Sequence, residues 1–313
     1  MHGLRKFYYN NKYKIWGIIV FIVVVLFSIY TLNNIVKIQN QNALTSNVNN
    51  NTNKINQSVS NNSNTFMSSN KSGITGNEIS EAEIDKVKKI IDQFITYCNQ
   101  KDISKAYEML SDDCKKVLYQ DADKFKTLYY DKVFNGDNKQ VGIENWISDT
   151  YKIKFIDDIM STGKISDTNL QDYYTIVEDG NGNIKLNINN FIKTEKIDTE
   201  TKEKNIKFNV LYRNVYIDYE EYILNVENNT ENKIILDSKN DTKSIYVLDK
   251  NEVKYYAYSN ELLSNLLSIN KGFSTQMTIK FIKNYSSTSK NDKQIVFTDV
   301  QINDQKEHIY IDI

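Results

Sequence analysis

The stretch 206–226, IKFNVLYRNVYIDYEEYILNV, decides how the chain is read. Ile206–Leu211, Val215–Tyr219 and Tyr222–Val226 read as one strand after another. The same texture continues through Ile234–Leu236, Ser244–Leu248, Val253–Tyr258, Met277–Ile282, Ile295–Ile302 and His308–Ile311. Turn-rich pieces such as Asn228–Asn232 and Ser286–Asp292 separate these strands, and only Glu261–Leu267 suggests a helical turn. Many short strands in residues 201–313, beyond the charged polar run Thr194–Lys204, predict a β-sandwich.

Upstream the period changes. Ser80 followed three residues on by Glu83 forms a capping box, which opens a helix with Ile84, Val87, Ile90, Ile91, Phe94, Ile95 and Cys98 on one face. Ile103, Ala106, Tyr107 and Leu110 mark a second helix. Ser111 caps a third, with Asp112 and Asp113 at its positive end and Cys114, Val117 and Leu118 inward. Phe125, Leu128, Tyr129 and Val133 continue helically. After Gly136, Tyr151, Ile153 and Phe155 read as a strand and Ile159–Ile165 as a weaker one. Tyr174–Val177 and Ile184–Ile188, joined by a Gly/Asn turn, read as a hairpin. Helices followed by antiparallel strands over residues 78–200 predict an α+β domain.

The N-terminal quarter is of another kind. Ile15–Leu32, IWGIIVFIVVVLFSIYTL, carries no charge and follows Arg5, Lys6, Lys12 and Lys14. As a helix it spans about 27 Å against a bilayer core of about 30 Å, with Trp16 and Tyr30 near its ends. It exceeds a signal-peptide core and lacks a small-X-small cleavage site, so the expectation is an uncleaved anchor. Residues 1–14 are then cytoplasmic and the remainder lies outside. Residues 33–77, rich in Asn, Ser, Thr and Gln, bury too little apolar area to offset chain entropy and read as a flexible, disordered linker.

Charge is divided the same way. The whole chain stands at −1, while residues 1–77 carry seven positive charges and no Asp or Glu, which leaves −8 for residues 78–313. An acidic ectodomain repels phosphate backbones, so nucleic acid is not an expected partner. The absence of proline and the wealth of Asn, Lys, Ile and Tyr fit an AT-rich bacterial genome. Cys98 and Cys114 fall on apolar helical positions and read as buried thiols; a disulfide between them stays open.

Residues 90–97 (IIDQFITY), Lys101-Asp102, the 106–111 segment AYEMLS and Phe125 together resemble the nuclear-transport-factor-two-like superfamily in its bacterial extracytoplasmic form. The resemblance covers roughly residues 80–195 and implies a cone of helices over a bent sheet, often around a pocket. A single anchor before such a domain is similar to scaffold subunits of type IV secretion and conjugation channels. Residues 221–230 and 271–279 resemble immunoglobulin-like domains of bacterial surface lipoproteins, although no lipid-anchoring Cys flanks Ile15–Leu32.

Reaction chemistry is thin. Only His2 and His308 exist, so histidine acid/base, triad and His-rich metal chemistry lack parts. Asp179-Gly180-Asn181-Gly182-Asn183 imitates the first ligands of a calcium loop, but Ile184 and Asn190 stand where Gly and Glu are needed, and a hairpin turn is the stronger reading. The adjacent pairs Asp112/Asp113, Asp157/Asp158 and Glu220/Glu221 read as caps or as strand neighbours pointing to opposite faces. Tyr255, Tyr256 and Tyr258 beside Lys254 read as strand tyrosines rather than a stacking platform.

The sequence therefore predicts an α+β protein with a transmembrane helix (15–32), a linker (33–77), a transport-factor-like domain (78–200) and an immunoglobulin-like sandwich (201–313). No catalytic, cofactor or metal residue is assigned. The expected role is a non-enzymatic scaffold that meets the bilayer through Ile15–Leu32 and other envelope or transfer-complex proteins, with self-association as a further option. The alternative is a ligand-binding sensor or carboxylate enzyme using the first domain's pocket.

Overall fold

The helix signals of residues 80–133 have their predicted local causes. A computed structural model describes residues 63–157, 170–237, 243–258, 265–285 and 292–313. In α1 (Glu81–Asn99) the Ser80 side chain accepts from the Glu83 N–H, and Val87, Ile91, Phe94, Ile95 and Cys98 are buried. Lys101, in the left-handed region at φ 61°, ends the helix, and Asp102 caps α2 (Ile103–Glu108) by accepting from the Lys105 N–H. Ser111 caps α3 (Asp112–Leu118); it also hydrogen-bonds Asn187 and donates its own N–H to Leu186 O, which ties the helix start to the sheet. α4 (Ala122–Phe125) passes through a π-helical turn (Lys126–Tyr130) into α5 (Asp131–Val133). The turn's extra residue brings both Tyr129 and Tyr130 into the core.

These helices cover a five-stranded sheet of order β1-β2-β3-β4-β5 (Thr65–Ser69, Lys139–Ile147, Thr150–Asp157, Gln171–Glu178, Ile184–Asn187). β1 is parallel to β2 and the other pairs are antiparallel. Asp92 of α1 accepts from the Asn64 N–H at 2.7 Å and so fixes the start of β1. Gly142 of β2 permits the close crossing of Phe66, since a Cβ there would lie 3.1 Å from the ring.

The next elements are a long hairpin, β6 (Phe191–Glu203) and β7 (Ile206–Tyr216), followed by β8 (Tyr219–Asn228). With β13 (Ser274–Ile282) they form a sheet of order β13-β8-β7-β6. The third sheet runs β11-β10-β14-β9-β12 (Lys254–Tyr256, Ile245–Asp249, Asp292–Ile302, Ile234–Ile235, Ser268–Ile269), and β15 (Gln305–Asp312) pairs with β14. The second and third sheets share one core, including Phe208, Leu224, Ile279, Phe297 and Ile309. The hairpin serves two cores at once. Ile206, Phe208 and Val210 enter this second core, whereas Phe191 and Tyr216 enter the first, among Phe94, Phe125 and Tyr174. On the free side of β15, the Tyr310 and Asp312 N–H groups donate to Glu203 Oε2 and Thr201 Oγ1 of β6, at 2.9 and 3.3 Å.

The α+β expectation is overturned. Strand makes up 50% of the described residues and helix 20%, so this part of the protein is mostly β rather than an α+β cone. Two misread segments explain much of the difference. Thr65–Ser69 reads by composition as linker, yet it is a strand because α1 and β2 supply its partners. Thr194–Lys204 reads as a polar spacer, yet it forms most of β6, whose charges pair along the strand and with its neighbour: Lys193–Glu195, Lys196–Asp198, and Glu200 with Lys202 and Lys207. Among the described residues no helix is long and apolar enough to cross a membrane. Ile15–Leu32, most of the linker, the weak strand at 159–165 and most of Glu261–Leu267 lie outside the described residues.

Candidate functional site

Between the parts of the hairpin that serve the two cores, the inner face of the second sheet turns from apolar to charged. A bulge between Val210 and Tyr212 puts Arg213 on the inward face, opposite Glu195 of β6 and Tyr222 of β8. Glu220, two residues before Tyr222, shares that face. Lys283, just past β13, and Asp292, the first residue of β14, close over it. Arg213 Nη1 donates to Asp292 Oδ2 at 2.6 Å and stands 3.6 Å from Glu220 Oε2; its Nε and Nη2 reach Glu195. Lys283 Nζ donates to Asp292 Oδ1 at 2.5 Å and lies 3.2 Å from Glu220 Oε1. That contact is not aligned as a hydrogen bond, and Glu220 Oε1 accepts none among the described residues. Tyr222 donates to Asp292 Oδ2 at 2.8 Å. The Arg213, Glu220, Asp292 and Lys283 side chains are all at least nine-tenths buried.

Burial and the neighbouring Asp292 push the Glu220 carboxyl up to about 7. Burial alone would also lift Glu195, but hydrogen bonds from Lys193 and Arg213 outweigh it and hold that carboxyl below its ordinary value. One fold face thus keeps two carboxyls on opposite sides of the usual range.

A second polar cluster lies beneath the helices of the first core. Asp172 of β4 accepts from the Tyr129 hydroxyl at 2.8 Å and from the N–H groups of Asn189 and Asn190 at 2.9 Å each. Asn189 and Asn190 both sit in the left-handed region, at φ 59° and 63°, so consecutive amides converge on one carboxylate. Tyr129 and Tyr174 hydroxyls meet at 2.7 Å. Burial raises the Asp172 carboxyl, and these donors work in the opposite sense. The geometry is that of an internal staple holding the β5–β6 turn to β4. Asp172→Asn should therefore cost about 1–3 kcal/mol in urea unfolding, because the amide nitrogen would face a backbone N–H, donor against donor.

The residues singled out by sequence fall apart from one another. In the calcium-like string, Asp179 Oδ1 accepts from the Asn181 and Asn183 N–H groups at 2.9 and 2.8 Å, and the segment is the β4–β5 turn. No cluster of His, Cys, Asp and Glu able to hold a metal occurs among the described residues. Asp112 and Asp113 occupy the first turn of α3. Asp157 ends β3, and Asp158 lies outside the described residues. Glu220 and Glu221 do point to opposite faces, and Glu221 accepts from the Tyr216 hydroxyl at 3.3 Å. Of the tyrosine trio, Tyr256 and Tyr258 are exposed, while Tyr255 lies under Lys283 Nζ, 5.1 Å from the ring centroid. Cys98 and Cys114 are free and buried.

The Arg213 cluster was missed. Its signal was present, since the chain has only two arginines, Arg5 and Arg213, amid abundant lysine. A planar guanidinium suits a buried multi-carboxylate site better than an ammonium.

No family model and no curated protein matches this chain. Among solved structures, a conserved hypothetical protein from Bacillus anthracis is similar at 10% identity and a TM-score of 0.25, over 38% of this chain and 96% of that one. A likeness that slight carries no argument about fold or role.

Proposed function

We propose that the chain is a non-enzymatic, single-pass membrane protein that presents its folded part outside a bacterial cytoplasm as a scaffold or interaction module. An envelope or conjugation-type transfer assembly is the setting the sequence favours. The carrying observation is that the acids of both interior clusters are met by donors of the protein itself, Glu220 Oε1 excepted. Asp172 is engaged by Tyr129 and backbone amides, and Glu195 and Asp292 by Arg213 and Lys283. The space over the first sheet is filled by Phe94, Phe125, Tyr129 and Tyr174, whose rings pack tilted, edge-on or stacked at 5.7–6.3 Å. A filled interior directs binding to the outer surface. The basic foot and apolar run at residues 1–32 support the location.

Protease shaving of intact protoplasts expressing the full chain with a C-terminal epitope tests this reading. The epitope should disappear without lysis, leaving a short membrane-bound fragment. Full protection of the epitope on intact cells would reject an external location.

A further inference from the structure

Lys283, Asp292 and Glu220 bring an amine and two carboxyls together in a dry place. Their side chains are 6%, 3% and 1% exposed. The Tyr255 ring lies 5.1 Å from Lys283 Nζ, and Tyr222 meets Phe281 edge-on at 5.7 Å. Both backbones are held. The Lys283 and Tyr285 N–H groups donate to Asp218 O and Ile217 O at 3.3 and 2.7 Å, and Asp292 pairs with Asp249 across β14 and β10.

An ammonium and a carboxylate buried in this way lose hydration that their attraction repays only in part. Condensing the two into an amide removes one charge of each sign, so the net charge of the cluster is unchanged. The geometry suits that step. Lys283 Nζ is 2.5 Å from Asp292 Oδ1, and Asp292 Cγ, one C–O bond of about 1.2 Å from that oxygen, is therefore within about 3.7 Å of the amine. Groups held near that separation react at effective concentrations that free solution cannot supply. Arg213 Nη1 and the Tyr222 hydroxyl donate to Asp292 Oδ2 at 2.6 and 2.8 Å, where charge develops on attack. Glu220 Oε1 stands 3.2 Å from Lys283 Nζ and accepts no hydrogen bond among the described residues, an open acceptor beside the amine.

We propose that Lys283 and Asp292 condense into an isopeptide bond in the folded protein, with Glu220 carrying the proton. The Nζ–Cγ bond forms and the Cγ–Oδ1 bond breaks. Glu220 takes one ammonium hydrogen and so frees the nitrogen lone pair for attack. That hydrogen and a second from the nitrogen leave with Oδ1 as water. The third stays on the amide nitrogen, and Asp292 Oδ2 becomes the amide oxygen. The step needs no oxidant or reductant. Because β13 and β14 belong to different sheets, the bond ties the second sheet covalently to the third. The step does not depend on where the protein is displayed.

The test is the mass of the full chain, purified in detergent micelles and denatured before measurement, for the wild type, Lys283→Met, Asp292→Ala and Glu220→Gln. The wild type should be lighter than its sequence by one water, and each variant should have its full sequence mass. Tryptic digestion of the wild type should lose the cut after Lys283 and give residues 281–290 joined to residues 291–293. A wild type at full mass would overturn the bond. So would a missing water with residues 291–293 recovered as a separate peptide, which would be dehydration within that peptide. A folded Glu220→Gln protein that still lacks the water would overturn the role of Glu220. Variants that fail to fold leave the wild-type mass and digest to decide.

Discussion

Arg213→Ala should lower the stability of the fold by about 3–5 kcal/mol, the usual penalty for removing one partner from a buried ion cluster. The substitution removes the donors to Glu195 and Asp292 and leaves both acids, with Glu220, facing Lys283 and Tyr222. Most of the loss is the cost of charge left buried without its counter-ion rather than the worth of any single contact. Arg213→Lys should recover part of it, because an ammonium restores the charge but cannot reach Glu195 and Asp292 in one planar fork. Chemical unfolding midpoints of the three proteins at neutral pH check the ranking. A wild-type midpoint for Arg213→Ala would mean that the cluster is not closed as described.

Phe125→Ala should be comparably damaging in the other core, at about 3–5 kcal/mol. Phe125 stacks on Tyr129 at 5.8 Å, meets Tyr119 edge-on at 5.6 Å, and lies 6.1 and 6.3 Å from Tyr107 and Phe94. Four rings would line the void, and α4 joins the π-helical turn at this residue, so the surroundings have little freedom to collapse. Loss of near-ultraviolet circular dichroism and a fall of roughly 10 °C in melting temperature should accompany the change. Phe125→Leu should retain most of the stability, since it fills more of the space. The two substitutions act on different chemistry, one leaving a charge and the other a hole. The salt dependence of their destabilisation should therefore differ.

Local rules read much of this molecule correctly. The Ser80 and Ser111 caps, the inward face of α1 and the Asp179–Asn183 turn all depend on residues within a few positions of one another. What escaped depends on distant partners. Nothing within Thr65–Ser69 marks a strand, because its hydrogen bonds come from β2 and its start is fixed by Asp92. The charges of β6 resemble a linker until the opposite strand is in place to meet them. The Glu220 cluster needed a bulge at Val210–Tyr212 and two residues distant in the chain, Lys283 and Asp292. Pattern alone put Glu220 and Glu221 on opposite faces but could not say which of them turns inward or that the inward face is charged. The fold-class error has the same origin, since each missed long-range pairing moved residues from spacer to sheet.

The outer side of β15 has a meaning beyond the single molecule. A bare sheet margin is a template on which one copy can extend the ladder of the next. Glu203 and Thr201 occupy amides of Tyr310 and Asp312 that an incoming strand would need. The carboxylate also brings like charge to any second copy approaching in the same pose. Two side chains on one hairpin thus act as a barrier to strand-by-strand polymerisation.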